Sequence, residues 1–324
     1  MPRRPVLFRC AAWLTCLVGV AVVGTACDRA RSPDGGDSAA RAERGVRAEP
    51  AATEGTASGW DMAAGPFVVL PTVDGGMVAG SLLLPDAADS SVGDTTGVGA
   101  LVGDARVELF ARGGRVSVAR VAVELPPPGE AGCTAWPVAR LAVDAGDAGV
   151  PVPPWTAAFA AGRVTPIPLD SIEGLAPRDS ARLAADLTRL ASRLPDDTSA
   201  TFRALPFVVL RAWRSRGVDS TFVVALLARR VNQEDDPKEE RLVLVVDALG
   251  NNAATWRVGW HERASGHEDE LVVAEPLLAF RVTGAADVRL LFGRDDGVAL
   301  GAAVLARREG AWRVLWESAI AGCG

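Results

Sequence analysis

The chain has no tyrosine, a single lysine (Lys238), two histidines and five cysteines in 324 residues. Each shortage excludes a chemistry. Asp235 stands three positions before Lys238, so the Ser-x-x-Lys of penicillin-binding enzymes is missing, as is any Walker Gly-Lys pair. No Gly-x-Ser-x-Gly elbow occurs, and a Ser-His-Asp arrangement has only His261 and His267 to draw on. Basic charge is in deficit, 34 residues against 40 acidic ones, for a net charge of −6. Such a surface does not suit nucleic acid, whose binding depends on neutralising phosphates. The apolar run from Ala11 to Val23 falls short of the roughly 20 residues that span a bilayer.

What is present begins with an address. A basic tip (Arg3, Arg4, Arg9), that short apolar run and small residues ending at Cys27 have the layout of a cleaved export signal, 1–26. Val23-Gly24-Thr25-Ala26-Cys27 resembles the lipobox of bacterial lipoproteins, with Gly24 where Leu is most usual. The resemblance covers the leader alone. It implies cleavage before Cys27, a diacylglycerol on the Cys27 sulfur, and a folded part held by a membrane outside the cytoplasm. Several acyl chains anchor firmly where one binds marginally. Arg3-Arg4 also resembles the start of a twin-arginine signal, but the following residues do not continue that pattern.

Cys10 and Cys16 leave with such a leader and Cys27 is lipidated, which leaves Cys133 and Cys323. In an oxidising envelope these two are expected to form a disulfide, with two buried thiols as the alternative. From Asp28 to Ser58 the chain is small and polar, with Val46 its one larger aliphatic side chain. Such a stretch cannot offset its ordering entropy and is expected to be a disordered tether, 27–59, with an r.m.s. reach of roughly 30 Å.

The remainder reads as mainly β. Pro66 to Leu70, Met77 to Leu84, Arg106 to Ala111 and Arg115 to Glu124 are strand-like, and Gly113-Gly114 predicts a tight hairpin because both glycines can take positive φ. In Arg115 to Glu124 the valines change parity, which predicts a bulge near Ala119-Arg120. Prolines recur from Pro151 to Pro168, a pattern expected of irregular chain or an edge strand. One amphipathic helix is predicted from Pro177 to Leu194. Leu183, Leu187, Leu190 and Leu194 form its stripe, and Arg182 and Asp186 stand at pairing distance.

Eight strands follow between Phe207 and Ser318, with turn signals between most of them, so antiparallel meanders forming a sandwich or barrel are expected. Repeats point to two related β units, 60–170 and 201–324, joined by a helical connector, 171–200. Pro66 to Leu70 recurs as Pro206 to Leu210. Trp256-Arg257-Val258-Gly259-Trp260 is echoed by Trp312-Arg313-Val314-Leu315-Trp316, and in a regular strand each places Trp, Val and Trp on one face.

For chemistry, the richest polar stretch runs from His261 to Glu270. Its candidate metal ligands are His261, His267 and Asp269, but the spacing is not His-Glu-x-x-His, and a solvated hairpin between two strands is the simpler reading. Asp86, Asp89, Asp94 and Asp104 lack the ordered spacing of a calcium loop. Gly97 to Gly103 fails as a dinucleotide loop, because its third glycine is one place late.

No cofactor is implied. The expected function is a non-enzymatic binding or structural module on a membrane-anchored envelope lipoprotein, its partner a membrane through Cys27. The first alternative is a small-ligand carrier, with the last eight strands as a barrel around a Trp-lined cavity. The second is a metal-dependent hydrolase built on His261 and His267.

Overall fold

The computed structural model describes residues 59–71, 79–85, 98, 102–124, 136–143, 153–195, 200–215, 221–231, 236–249, 255–267, 271–295 and 299–322, all within the compact unit Gly45–Gly324. Among these residues, mainly β structure with one continuous α-helix is what the strand-rich sequence predicts. Among these residues no helix is long and apolar enough to cross a membrane.

A closed barrel forms first, from β1 (Val68–Pro71), β2 (Ala79–Leu83), β3 (Arg106–Ala111), β4 (Gly114–Glu124), β5 (Val138–Val143) and β6 (Ala157–Ala160). They pair antiparallel in the order β1-β2-β5-β4-β3-β6, with β6 returning to β1. Side chains fill the lumen, among them Phe67, Val69, Leu82, Leu109, Val121 and Leu141.

Two local expectations change here, while the hairpin forms at the glycine pair as expected. The register shift lies opposite Leu109/Phe110, between Ser117 and Arg115, so the slip is at Val116 rather than Ala119-Arg120. Only Gly114 of the hairpin pair has positive φ, at 141°. The proline-rich stretch contributes β6, an inner strand of the barrel, because its Ala-Ala-Phe-Ala core holds no proline and loses no ladder bond.

The later strands build two open sheets. β7 (Val164–Ile167) and β8 (Leu169–Ser171) lead through a 3-10 turn to α1 (Pro177–Ala191). Then come β9 (Val208–Ser215), β10 (Phe222–Val231), β11 (Lys238–Ala248), β12 (Trp256–His267), β13 (Val273–Val282), β14 (Val288–Asp295), β15 (Ala299–Arg308), β16 (Ala311–Glu317) and the short β17 (Ala321–Gly322). One sheet runs β16-β15-β14-β13-β7, with β17 also on β15, and the other β12-β11-β10-β9-β8. The eight strands expected after the helix are therefore present, but as two facing sheets and not a barrel. Pro166 sits in β7, an edge strand, as its missing N–H requires.

The layers stack as barrel, sheet, sheet and helix, with apolar cores between. Phe222, Val224, Val243 and Val245 meet Leu290, Phe292, Leu305 and Trp312 between the two sheets. On the barrel side, Phe280, Leu291, Val304 and Trp316 pack on Val68, Leu83 and Phe159. On the far side, Leu183, Leu187 and Ala191 of α1 cover Val223, Ala225, Leu242 and Leu244. Strands buried on both faces need nearly continuous apolar sequence, which is why β10, β11 and β14 show little alternation. Leu187 is wholly buried, worth about 1.5–3 kcal/mol.

The helix stops earlier than its leucine stripe implies, because Ser192 caps it: its backbone N–H donates to Leu190 O and Thr188 O, and its hydroxyl to Thr188 O. Asp186 pairs with Arg189 at 2.5 Å, one turn the other way from the expected Arg182.

The repeated segments meet different surroundings. In β1 both Val68 and Val69 are fully buried, one toward the sheet and one in the lumen, whereas Val208 is 61% and Leu210 43% exposed in β9. Both Trp-Arg-Val-x-Trp copies carry a bulge at x. Val246 faces Val258 while Val245 faces Trp260, and Leu305 faces Val314 while Val304 faces Trp316. The extra residue, Gly259 or Leu315, turns the last Trp to the opposite face from the first. The single-face aromatic plate is thus replaced by Trp side chains that serve different cores: Trp256 under α1, Trp260 and Trp312 between the sheets, Trp316 toward the barrel.

Candidate functional site

Strand ends carry the charges that bound the sandwich. Arg229 and Arg230 of β10 lie directly opposite Glu240 and Glu239 of β11. Neighbouring strand residues point to opposite faces, so each glutamate meets its own pair of arginines. On the α1 side Glu240 takes Arg229 Nε at 2.5 Å and Arg263 at 3.0 Å, with Arg229 stacked 4.6 Å over Phe207. Between the sheets Glu239 takes Arg230 at 2.7 Å and Arg241 at 2.6 Å.

Ion pairs then cross from sheet to sheet on each flank, in addition to one between Arg307 of β15 and Asp247 of β11 at 3.4 Å. Arg211 of β9 reaches Glu275 of β13 at 3.3 Å, a carboxylate also held by Arg112. Arg294 of β14 bridges Glu262 of β12 at 2.6 Å and Glu317 of β16 at 2.9 Å. Burial works against the Arg294 charge, but the two carboxylates outweigh it and hold the guanidinium more firmly protonated than usual.

Between these flanks the sandwich opens into a small cleft, open to solvent, with a cavity volume of about 50 Å³. Leu226 and Val243 form its floor, Leu210, Val272 and Ala274 its walls, and Arg241, Glu262 and Ala264 its charged side. Small side chains at Ala264 and Ala274 are the local reason for the space, since larger ones would close it. Val243 is opposite Glu262 and Arg241 opposite Ala264, so Arg241 and Glu262 are diagonal neighbours on one face. Such neighbours stand about 7–8 Å apart. Arg241 uses Nε on Glu239, and Glu262 uses Oε2 on Arg294. Among the described residues, the terminal nitrogens of Arg241 and Oε1 of Glu262 have no partner.

The histidines fall elsewhere. The expected hairpin is strand: β12 continues through His267, with His261 opposite Leu244 and His267 opposite Lys238. Six residues along one strand is about 20 Å, too far for two ligands of one ion. Burial, then the Arg263 charge, lowers the His261 pKa below its ordinary value. Among the described residues no group of three His, Cys, Asp or Glu side chains could hold a metal. Asp104 pairs with Arg120 at 3.1 Å. Cys27, Cys133, Cys323, Asp269, Asp86, Asp89 and Asp94 lie outside the described residues. The Trp-lined barrel cavity does not form: the closed barrel is the earlier one, and its lumen is filled.

No family model matches the chain, and no curated protein or solved structure is significantly similar to it.

The cleft was not legible in the sequence, because five strands supply its lining. One signal did exist. On each inner stripe the apolar alternation ends in a charge: Trp260 then Glu262, Phe292 then Arg294, Val243 then Arg241. Those changes, at matching heights on three strands, mark the mouth of a sandwich once the strands are paired.

Proposed function

We propose that the chain is a membrane-anchored lipoprotein of the bacterial envelope whose folded part is a non-enzymatic binding module. The cleft carries the reading: its floor is hydrocarbon, and its two charged groups are already tied into ion pairs that hold them still. Such a site favours holding a molecule over transforming it, and preformed apolar clefts with a few fixed polar groups are the common form of ligand sites. The Val23 to Cys27 lipobox and the polar stretch after it support the address. The same compartment suits a disulfide between Cys133 and Cys323, which thiol counting on the unfolded, unreduced chain tests.

The experiment is metabolic labelling of a producing bacterium with an alkyne fatty acid, followed by fractionation. Wild type is expected to carry label and sediment with membranes, while Cys27→Ser is unlabelled. Equal labelling of both would refute the anchor. For the module, the fluorescent apolar probe N-phenyl-1-naphthylamine is expected to bind wild type and not Ala264→Trp, which fills the cleft. The small-ligand carrier reading moves to this cleft in place of the barrel cavity, supported by its apolar lining and its opening to solvent.

A further inference from the structure

We propose that the outer edge of β9, residues 208–211, takes an extended peptide segment of a partner protein as an added antiparallel strand, with a carboxylate of the segment on Arg211 and an apolar side chain beside Val208. The proposal goes beyond the cleft reading and needs no ligand in the cleft.

A sheet edge with free backbone N–H and C=O groups is a template for one more strand, and peptide recognition by strand addition uses it. β8 covers β9 only from Trp213 to Ser215, because Ser171 caps the 3-10 turn Ile172–Gly174 that carries the chain out of the sheet. Among the described residues, no strand and no other backbone hydrogen bond reaches the outer side of 208–211. The matching stretch of the facing sheet is closed. There β7 covers β13 only from Ala279 to Val282, and beyond it Pro276 has no N–H to offer. The Pro276 carbonyl accepts from Arg112 Nε at 2.8 Å, and the Leu277 carbonyl accepts from Thr156 Oγ1 at 2.6 Å. The fold thus stops one edge and leaves the other open.

Charge and register select the occupant. On β9, Arg211 faces Leu226 and Val208 faces Ala228, so Leu210 is an extra residue and Val208 shares a face with Arg211. An added antiparallel strand with the register of β10 puts residues two apart opposite that pair, which selects the order acidic-x-apolar. Val208 is 61% exposed and supplies the apolar contact. Arg211 has a side chain 63% exposed and one bond at 3.3 Å, to a Glu275 that Arg112 also holds. Two guanidiniums on one carboxylate leave a positive charge at the edge. A second copy of this chain does not answer it, since 208–211 reads Val-Val-Leu-Arg and brings no carboxylate.

The test is fluorescence anisotropy with the full chain in lipid nanodiscs and the labelled peptide Ser-Thr-Glu-Thr-Val-Thr-Ser. This peptide is expected to bind saturably, and the same peptide with Lys for Glu at least about tenfold more weakly, the loss of one charge-assisted contact. Arg211→Glu is expected to reverse that order. Val208→Lys, a charge on an exposed edge position, is expected to weaken the Glu peptide by about tenfold while leaving the urea midpoint unchanged. Strand pairing is read with N-methylated peptides. Methylation of alternate residues is expected to abolish binding in one phase and spare it in the other, because only alternate N–H groups face the sheet. Equal affinity of the two phases, a peptide order that Arg211→Glu leaves unchanged, or no saturable binding up to about 1 mM would overturn the proposal. So would self-association in sedimentation equilibrium that Val208→Lys abolishes, which would give the edge to a second copy. The dye titration with Ala264→Trp reads the cleft separately: its failure leaves the edge standing, and failure of the peptide leaves the cleft.

Discussion

Glu240→Ala and Glu239→Ala remove neighbouring carboxylates that are both wholly buried, yet they are expected to differ in cost. The difference lies in what each leaves behind. Arg229 and Arg263, the partners of Glu240, have side chains only 6% and 16% exposed, and Arg229 is stacked on Phe207. Neither can readily turn to water when the carboxylate goes. Arg230 and Arg241, the partners of Glu239, are 48% and 25% exposed and can.

Removing one member of a buried ion pair costs about 3–5 kcal/mol, most of it the penalty of a stranded charge. Arg229 retains the Leu205 carbonyl and two aromatic faces, which places Glu240→Ala near about 3 kcal/mol, the lower end of that range. Glu239→Ala, with partners that rehydrate, is expected to cost about 1–2 kcal/mol. Because the stranded charge is the cause, Arg229→Met combined with Glu240→Leu should regain at least half of the larger loss. The assay is urea unfolding followed by Trp fluorescence, comparing midpoints at equal m values. Equal losses for the two single variants, or a double variant no more stable than Glu240→Ala, would refute the reasoning.

Three further outcomes are expected. A Cβ at Gly259 would lie 2.5 Å from Trp312 Cδ1 and 2.8 Å from Asp247 Oδ2, so Gly259→Ala should cost about 1–3 kcal/mol, whereas Gly113→Ala, with nothing within 4 Å, should be nearly neutral in the same unfolding assay. His261 has a folded pKa below its ordinary 6.5, so the unfolded chain binds the proton more readily, and stability should fall as pH drops through 6.5. His261→Gln should flatten that slope in pH-dependent melts, and an unchanged slope would assign it to other groups. At Asp61, burial raises the pKa but is outweighed by Arg289 at 2.6 Å and the Ala63 N–H, so its contribution is present above its ordinary 3.8 and is lost only as pH falls below that, outside the histidine window. Asp61→Asn should therefore change stability at pH 7 and lose its effect in strong acid.

Local chemistry determined much of this protein from its sequence. Apolar runs of strand length predict β10, β11, β13, β14 and β15, because a strand buried on both faces requires them. Pro177 and the Leu183/Leu187 spacing predict α1, and Pro166 predicts an edge. Turn residues separate the eight later strands in the right order. Pairing decided the rest. Periodicity places side chains on faces only while the register is regular, and the bulges at Gly259 and Leu315 follow from the partner strand, so the paired tryptophans point opposite ways despite identical spacing. Burial of Val68 and Leu70 and exposure of their counterparts Val208 and Leu210 depend on what packs above each strand, which five identical residues cannot encode. The cleft is decided at the same level: Leu210, Leu226, Val243, Glu262 and Ala274 are unremarkable along the chain, and only the facing of two sheets makes them the walls of one site.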